Sequence, residues 1–274
     1  MASERLAVVV GINEYEDAEN IKALRGAVRD AQEVRDSLQG AGGGFKILHY
    51  LENKGATCEA IRRALYDLFW KSCDTCELAL FYFSGHGIQD GHRESYLAPC
   101  DVNCKELLVK GIKMMELKQI LRGAKNRTNA VMILDCCHSG VVAIGDERDV
   151  AVAKAKHPLF DAMREGEKKP GEEKPEPATG RTTGGGKFIL ASAGPHDPAR
   201  EKLFTHVIRK EGETEHYHGL FTFHMLEGMN GLAANPDNEV YLAGLQNHIS
   251  KCMAIIPTTS LTTGALAKDM RRSA

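Results

Sequence analysis

Three short stretches of this chain contain only apolar and aromatic residues: Leu6–Val10 (LAVVV), Leu78–Phe83 (LALFYF) and Ala130–Leu134 (AVMIL). None has the polar alternation of a strand with one wet face, and each is too short for a core helix. Such runs are strands covered on both sides, the mark of a parallel sheet sandwiched between helices. The intervening segments supply those helices. In Leu24–Leu38, Ala27, Ala31, Val34 and Leu38 recur at helical spacing. Cys58–Trp70 reads as a second helix with Thr57 as its N-cap, and Met115–Leu121 as a short third. Phe45–Leu51, after the turn Gly42-Gly43-Gly44, and Phe188–Ala191 read as further strands, and Phe221–Met229 continues the alternation. The fold class is α/β, with a mostly parallel central sheet of about six strands and helices on both faces.

Charge excludes some partners. Thirty-five basic residues stand against thirty-seven acidic ones, a net charge of -2, so no global excess draws the chain to nucleic acid or a membrane surface. No segment approaches the ~20 apolar residues of a membrane span. The N-terminal MASERLAVVVGINEYE has no cleavage-site pattern, so no signal peptide is expected. The eight cysteines are irregularly spaced, which fits a reduced, cytoplasmic protein better than a disulfide framework.

One segment breaks the alternation. Residues 145–186 include EGEKKPGEEKPEPATGRTTGGG, too polar and too rich in Gly and Pro to bury a core face. This segment interrupts a domain over residues 1–256, separating about residues 1–144 from about residues 187–256. A polar tail follows at 257–274.

Two of the apolar runs end in reactive residues. The first opens into Ser84-Gly85-His86-Gly87 and the second into Asp135-Cys136-Cys137-His138-Ser139-Gly140. Open α/β sheets gather their reactive groups just beyond the carboxyl ends of the strands. A histidine between two glycines is exposed, since neither neighbour has a side chain to shield it. Strand alternation then separates the cysteines: Asp135 and Cys137 share one side and Cys136 faces the other, toward a packed helix. Cys137 is the candidate nucleophile. Taken singly, a buried thiol and a loop histidine are the commoner readings; the pair at two strand ends favours catalysis. A zinc site at Cys73, Cys76, Cys100 and Cys104 is disfavoured by loose spacing and the absence of a paired histidine.

These motifs resemble those of the caspase-like superfamily, above all its metacaspase, paracaspase and bacterial orthocaspase branches. Tyr82-Phe83-Ser84-Gly85-His86-Gly87 is similar to the family's histidine motif, and Asp135-Cys136-Cys137-His138-Ser139-Gly140 to its cysteine motif. The separation of about fifty residues is that of caspase-type enzymes. Gly11-Ile12-Asn13-Glu14-Tyr15, Leu24–Ala31, Tyr96–Asp101 and Gly219-Leu220-Phe221-Thr222 resemble further family motifs, in the family's order.

The resemblance implies a thiol peptidase with a caspase-like fold over residues 1–256, its large half (about 1–144) and small half (about 187–256) joined by a linker over 145–186. His86 would be general base and then general acid, Cys137 the nucleophile, and the N–H groups of Gly87 and Cys137 the oxyanion hole. It also implies a pocket for a substrate Arg or Lys, lined by Asp30 and Asp135, with Glu201 as a looser match. Calcium-dependent relatives carry acidic clusters where this chain has Gly111-Ile112-Lys113-Met114-Met115-Glu116. No metal and no cofactor, calcium included, is therefore expected. Protein substrates with exposed Arg or Lys are the expected partners, together with an upstream activating protease or a second copy that cuts the linker. Arg148, Arg164 and Arg181 are its candidate processing sites. The competing reading is a caspase-fold scaffold, or a partner-dependent regulator, without peptidase activity of its own.

Overall fold

The computed structural model describes residues 4–40, 43–72, 76–124, 129–136, 187–192 and 217–253, together with the backbone alone of 151–154, 201–204, 216 and 254. Strands β1 (Glu4–Gly11), β2 (Phe45–Glu52), β3 (Cys76–Ser84), β7 (Asn129–Asp135), β8 (Ala151–Lys154) and β9 (Lys187–Ala191) form one sheet in the order β2-β1-β3-β7-β9-β8. Every pairing in it is parallel. The short strands β4 (Gly87–Gln89), β5 (Ser95–Leu97) and β6 (Ile112–Lys113) make a small antiparallel sheet. A second antiparallel pair joins β10 (Glu201–Phe204) to β11 (His216–Gly219).

Helices cover both faces, as double-sided burial of the three apolar runs requires. On one face α2 (Cys58–Tyr66), α3 (Leu107–Lys110) and α4 (Met114–Gly123) pack with Val8, Val10, Phe81, Met132 and Leu134. On the other, α1 (Ala27–Gln39), α5 (Leu220–Glu227) and α6 (Leu242–Ala254) pack with Val9, Tyr82, Val131 and Ile133. Adjacent strand residues thus enter opposite cores, and the alternation fixes which side chain faces which layer. No helix of the described residues is long and apolar enough to cross a membrane.

Four elements differ from the sequence reading. Helix α1 starts at Ala27, because Leu24 donates its N–H to the Asn13 carbonyl and the Asn13 side chain accepts from Val28 N. The Cys58 helix is α-helical only to Tyr66 and finishes as a π-helical turn, Asp67–Lys71. Its Thr57 cap forms as read, accepting from Ala60 N at 3.2 Å. Within the linker 145–186, residues 151–154 add an edge strand to the sheet. Helix α6, which the sequence reading does not include, buries Leu245 and Ile249 in the same core as α1 and α5.

Candidate active site

The carboxyl ends of β1, β3 and β7 lie side by side, with Gly11 opposite Ser84 and Ser84 opposite Asp135. The chain leaves these ends in the two candidate motifs. Gly85 donates its N–H to the Asp135 carbonyl at 3.2 Å, and Ser192 N donates to the Leu134 carbonyl at 3.0 Å. Ser192 Oγ also donates to the Cys136 carbonyl at 3.4 Å. The start of the cysteine motif is therefore held from both flanking strands.

His86 is half-buried and fixed at three points. Its backbone N–H donates to Tyr15 Oη at 2.8 Å, and the two rings lie 5.2 Å apart. Nε2 lies 2.7 Å from the Lys22 carbonyl. A carbonyl only accepts, so Nε2 carries the proton and the lone pair is left on Nδ1. That is the tautomer of a base whose imidazolium form would be stabilised by the Lys22 oxygen. Gly85 permits this packing: a Cβ there would lie 2.9 Å from Tyr15 Oη and 3.0 Å from the Phe83 ring. The next residue, Gly87, pairs with Leu97. Because the His86 carbonyl accepts from Ala98 N, the antiparallel ladder makes Gly87–Leu97 its next, non-bonded pair. The Gly87 N–H consequently faces away from β5.

Cys136 is fully buried among Leu134, Met132 and the α4 core. This agrees with the strand alternation that assigns it to packing. Asp135 points the other way, toward α5, where its Oδ2 accepts from Thr222 Oγ1 at 2.6 Å and Thr222 N at 3.3 Å. Tyr82 Oη lies 2.7 Å from Thr222 Oγ1, so the phenol donates to a hydroxyl whose own proton is given to Asp135.

Asp30, in the first turn of α1, is also buried, with 1% of its surface exposed. Its Oδ2 accepts from Gly219 N at 2.9 Å and from Ser84 Oγ at 3.4 Å. Its Oδ1 lies 2.8 Å from His218 Nδ1, and the far nitrogen of that ring is 3.6 Å from Glu33 Oε1. A Cβ at Gly219 would collide with Asp135 Oδ2 and lie 2.9 Å from Asp30 Oδ2, so the two carboxylates meet around this one glycine. Burial raises the Asp30 carboxyl to about 7; the His218 hydrogen bond opposes the rise and the Asp135 charge adds to it. The backbone of Glu201 pairs with Gly219 across β10–β11, which brings the third predicted acid to the same place in the fold.

The structure thus gathers Asp30, Asp135 and the Glu201 backbone at Gly219, and sets His86 and Gly87 just past the end of β3. Cys137, Arg148, Arg164, Arg181 and the tail 257–274 lie outside the described residues. Three roles escape sequence reasoning: those of Tyr15, known there only as part of a motif, and of the Lys22 carbonyl, which orient His86, and that of His218, which holds Asp30. Only the fold brings them to these positions.

Residues 4–263 match the family model described as a caspase domain. The fold is similar to the crystal structure of a Geobacter sulfurreducens protein, with a TM-score of 0.55 over 93% of this chain and 90% of that one. Sequence identity is 16%, so this likeness shows the fold alone. No curated protein sequence matches significantly.

Proposed function

This chain belongs to the caspase-domain family of cysteine peptidases, and from that premise we propose an endopeptidase that cuts after Arg or Lys through a Cys137–His86 dyad. His86 Nδ1 takes the Cys137 thiol proton, and the thiolate attacks the scissile carbonyl. The Gly87 and Cys137 N–H groups stabilise the resulting oxyanion. Collapse forms a thioester and expels the amine, which takes the proton back from His86. Water, deprotonated by the same histidine, then hydrolyses the thioester and regenerates the thiol. The Lys22 carbonyl on Nε2 supports this reading because it leaves Nδ1 as the base.

The observation that carries the specificity is the meeting of two buried carboxylates at Gly219. Burial raises the Asp30 carboxyl, and the neighbouring Asp135 charge adds to the rise, so the pair favours a compensating cation. A guanidinium or ammonium supplies that charge, and a guanidinium can bridge both acids with its planar donors. An aspartate side chain would add negative charge instead. Glu201, whose backbone pairs with Gly219, is the third acid assigned to this pocket by resemblance. The reading further includes a reduced cytoplasmic setting, protein substrates with exposed Arg or Lys, no nucleic acid or membrane partner, no calcium requirement, and control through the linker 145–186.

The test is hydrolysis of fluorogenic peptides ending in Arg, Lys or Asp by wild type, Cys137→Ala and Cys136→Ala. Cys137→Ala should be inactive, whereas Cys136→Ala should keep turnover and lose on the order of 1 kcal/mol of stability from its packed site. Fast cleavage of the Asp-ended peptide would refute the acidic pocket. Equal activity of the two variants would refute the nucleophile.

A further inference from the structure

Helices α5 and α6 present metal-ligating side chains to each other. His224 and Glu227 stand one turn apart on α5, and His248 and Cys252 one turn apart on α6, so each pair shares a helix face. The His224 Nδ1 and Glu227 Oε2 atoms are 2.7 Å apart. Ligand atoms of His224, Glu227 and Cys252 all lie within 4.8 Å of one another. The Cys252 Sγ is in turn 3.7 Å from His248 Nε2. The helices come this close because Gly228 follows Glu227: a Cβ there would lie 2.6 Å from Leu245 Cδ1 and 3.1 Å from the His248 ring.

A local His–Glu ion pair would account for α5 alone. It does not account for a thiol and a second imidazole that meet it from another helix. Among the described residues, this is the one group of three such side chains close enough to share an ion. Zinc binds nitrogen at about 2.0–2.1 Å and thiolate at about 2.3 Å, which sets tetrahedral ligand separations of roughly 3.3–3.8 Å. The 3.7 Å Cys252–His248 separation already falls in that range. The His224–Glu227 contact needs to open by about half an ångström to reach it.

We propose that His224, Glu227 and Cys252, with His248 beside them, bind one zinc-type divalent ion that clamps α5 to α6. One carboxylate, one thiolate and imidazole nitrogens form a borderline-soft donor set that suits Zn2+ and excludes Ca2+ and Mg2+. Binding releases one proton from the Cys252 thiol to solvent and replaces the His224–Glu227 hydrogen bond with two metal bonds. The clamp lies near the specificity pocket. Helix α5 starts directly after Gly219, whose N–H holds Asp30, and its Thr222 holds Asp135. An ion that fixes α5 therefore bears on where both acids stand. The binding step is independent of the proposed peptidase activity; only the effect on the pocket rests on it.

The test uses the full chain carrying Cys137→Ala, which removes the thiol that would otherwise pair with His86 around a metal. Cobalt(II) is titrated and thiolate-to-cobalt charge transfer followed in the near ultraviolet, with and without Cys252→Ser or His224→Gln added. Melting temperature with and without zinc is measured on the same proteins. The expected result is one equivalent bound with a charge-transfer band and raised melting temperature. Cys252→Ser should abolish the band and the shift, and His224→Gln should weaken binding at least tenfold. A band and a zinc-induced shift that survive Cys252→Ser, or no band at all in the parent, would overturn the site.

Discussion

Asp30 and Asp135 come from the first helix and from the end of a central strand, yet their carboxylates converge on one Cα, that of Gly219. The glycine is there for space. Any side chain would push the Asp135 carboxylate off Thr222 or the β11 backbone off Asp30.

Gly219→Ala should therefore lose specificity before it loses the fold. Overpacking of this kind costs about 1–3 kcal/mol, and the displaced acids should raise KM for Arg-ended peptides at least tenfold. The measurement is steady-state kinetics beside a denaturant melt. An unchanged KM would mean that substrate does not approach this glycine.

Asp30 gives a pH dependence with a definite sign. Its folded-state carboxyl sits at about 7 against an ordinary 3.8, so between these values the folded chain holds a proton that the unfolded chain has released. The contribution of this group to stability is then highest near pH 4 and declines as pH rises to about 7. Asp30→Asn cannot ionise and should gain on wild type across that window. Melting temperatures of both proteins from pH 4 to 8 decide it; a constant difference would show Asp30 ionised throughout. The groups facing it are His218, Ser84 Oγ, Gly219 N and Asp135.

The central sheet was legible because Leu6–Val10, Leu78–Phe83 and Ala130–Leu134 fit only strands covered on both faces. The burial of Cys136 followed from the same alternation. Less was legible where the fold itself supplies the signal. Strands β4 to β6 have two or three residues and show no periodicity of their own. Helix α6 does carry Leu242, Leu245 and Ile249 at helical spacing, a pattern that a strand-centred reading passes over. His218 has no local motif. It matters because β11 lays it against α1, where Asp30 and Glu33 take its two nitrogens.

Tyr15 is a positioning residue for the proposed base. Its hydroxyl accepts from His86 N and donates to the Ile12 carbonyl at 3.3 Å, and its ring supports the imidazole. Tyr15→Phe keeps the ring and leaves the His86 N–H unpaired, at a cost of about 1–3 kcal/mol. Turnover should fall roughly tenfold as the base loosens, since about 1.4 kcal/mol of barrier is a factor of ten, while KM for Arg-ended peptides stays constant. A KM effect of equal size would assign Tyr15 to the substrate pocket instead.

Control is expected to lie in residues 145–186. A peptidase selective for Arg or Lys meets its preferred residue in exposed segments of most proteins, so unregulated activity would be hazardous. This segment is polar and rich in Gly and Pro, the composition that proteases cut most readily. It joins β7 to β9, which pair directly with each other, and contributes β8 on the outer edge of β9. Cleavage between them frees the stretch next to the proposed nucleophile and leaves the β7–β9 ladder intact, so the two halves should stay associated. Arg164 and Arg148 are favoured over Lys169 and Lys174, because the proline after each of these lysines fixes φ and makes a poor scissile bond. Changing every Arg and Lys of 145–186 to Ala should give a chain that stays single and at least tenfold less active than wild type cut there through an engineered site. Electrophoresis beside peptide hydrolysis reads both properties. Equal activity of the uncut and cut forms would make this segment a plain connection and move control elsewhere in the molecule.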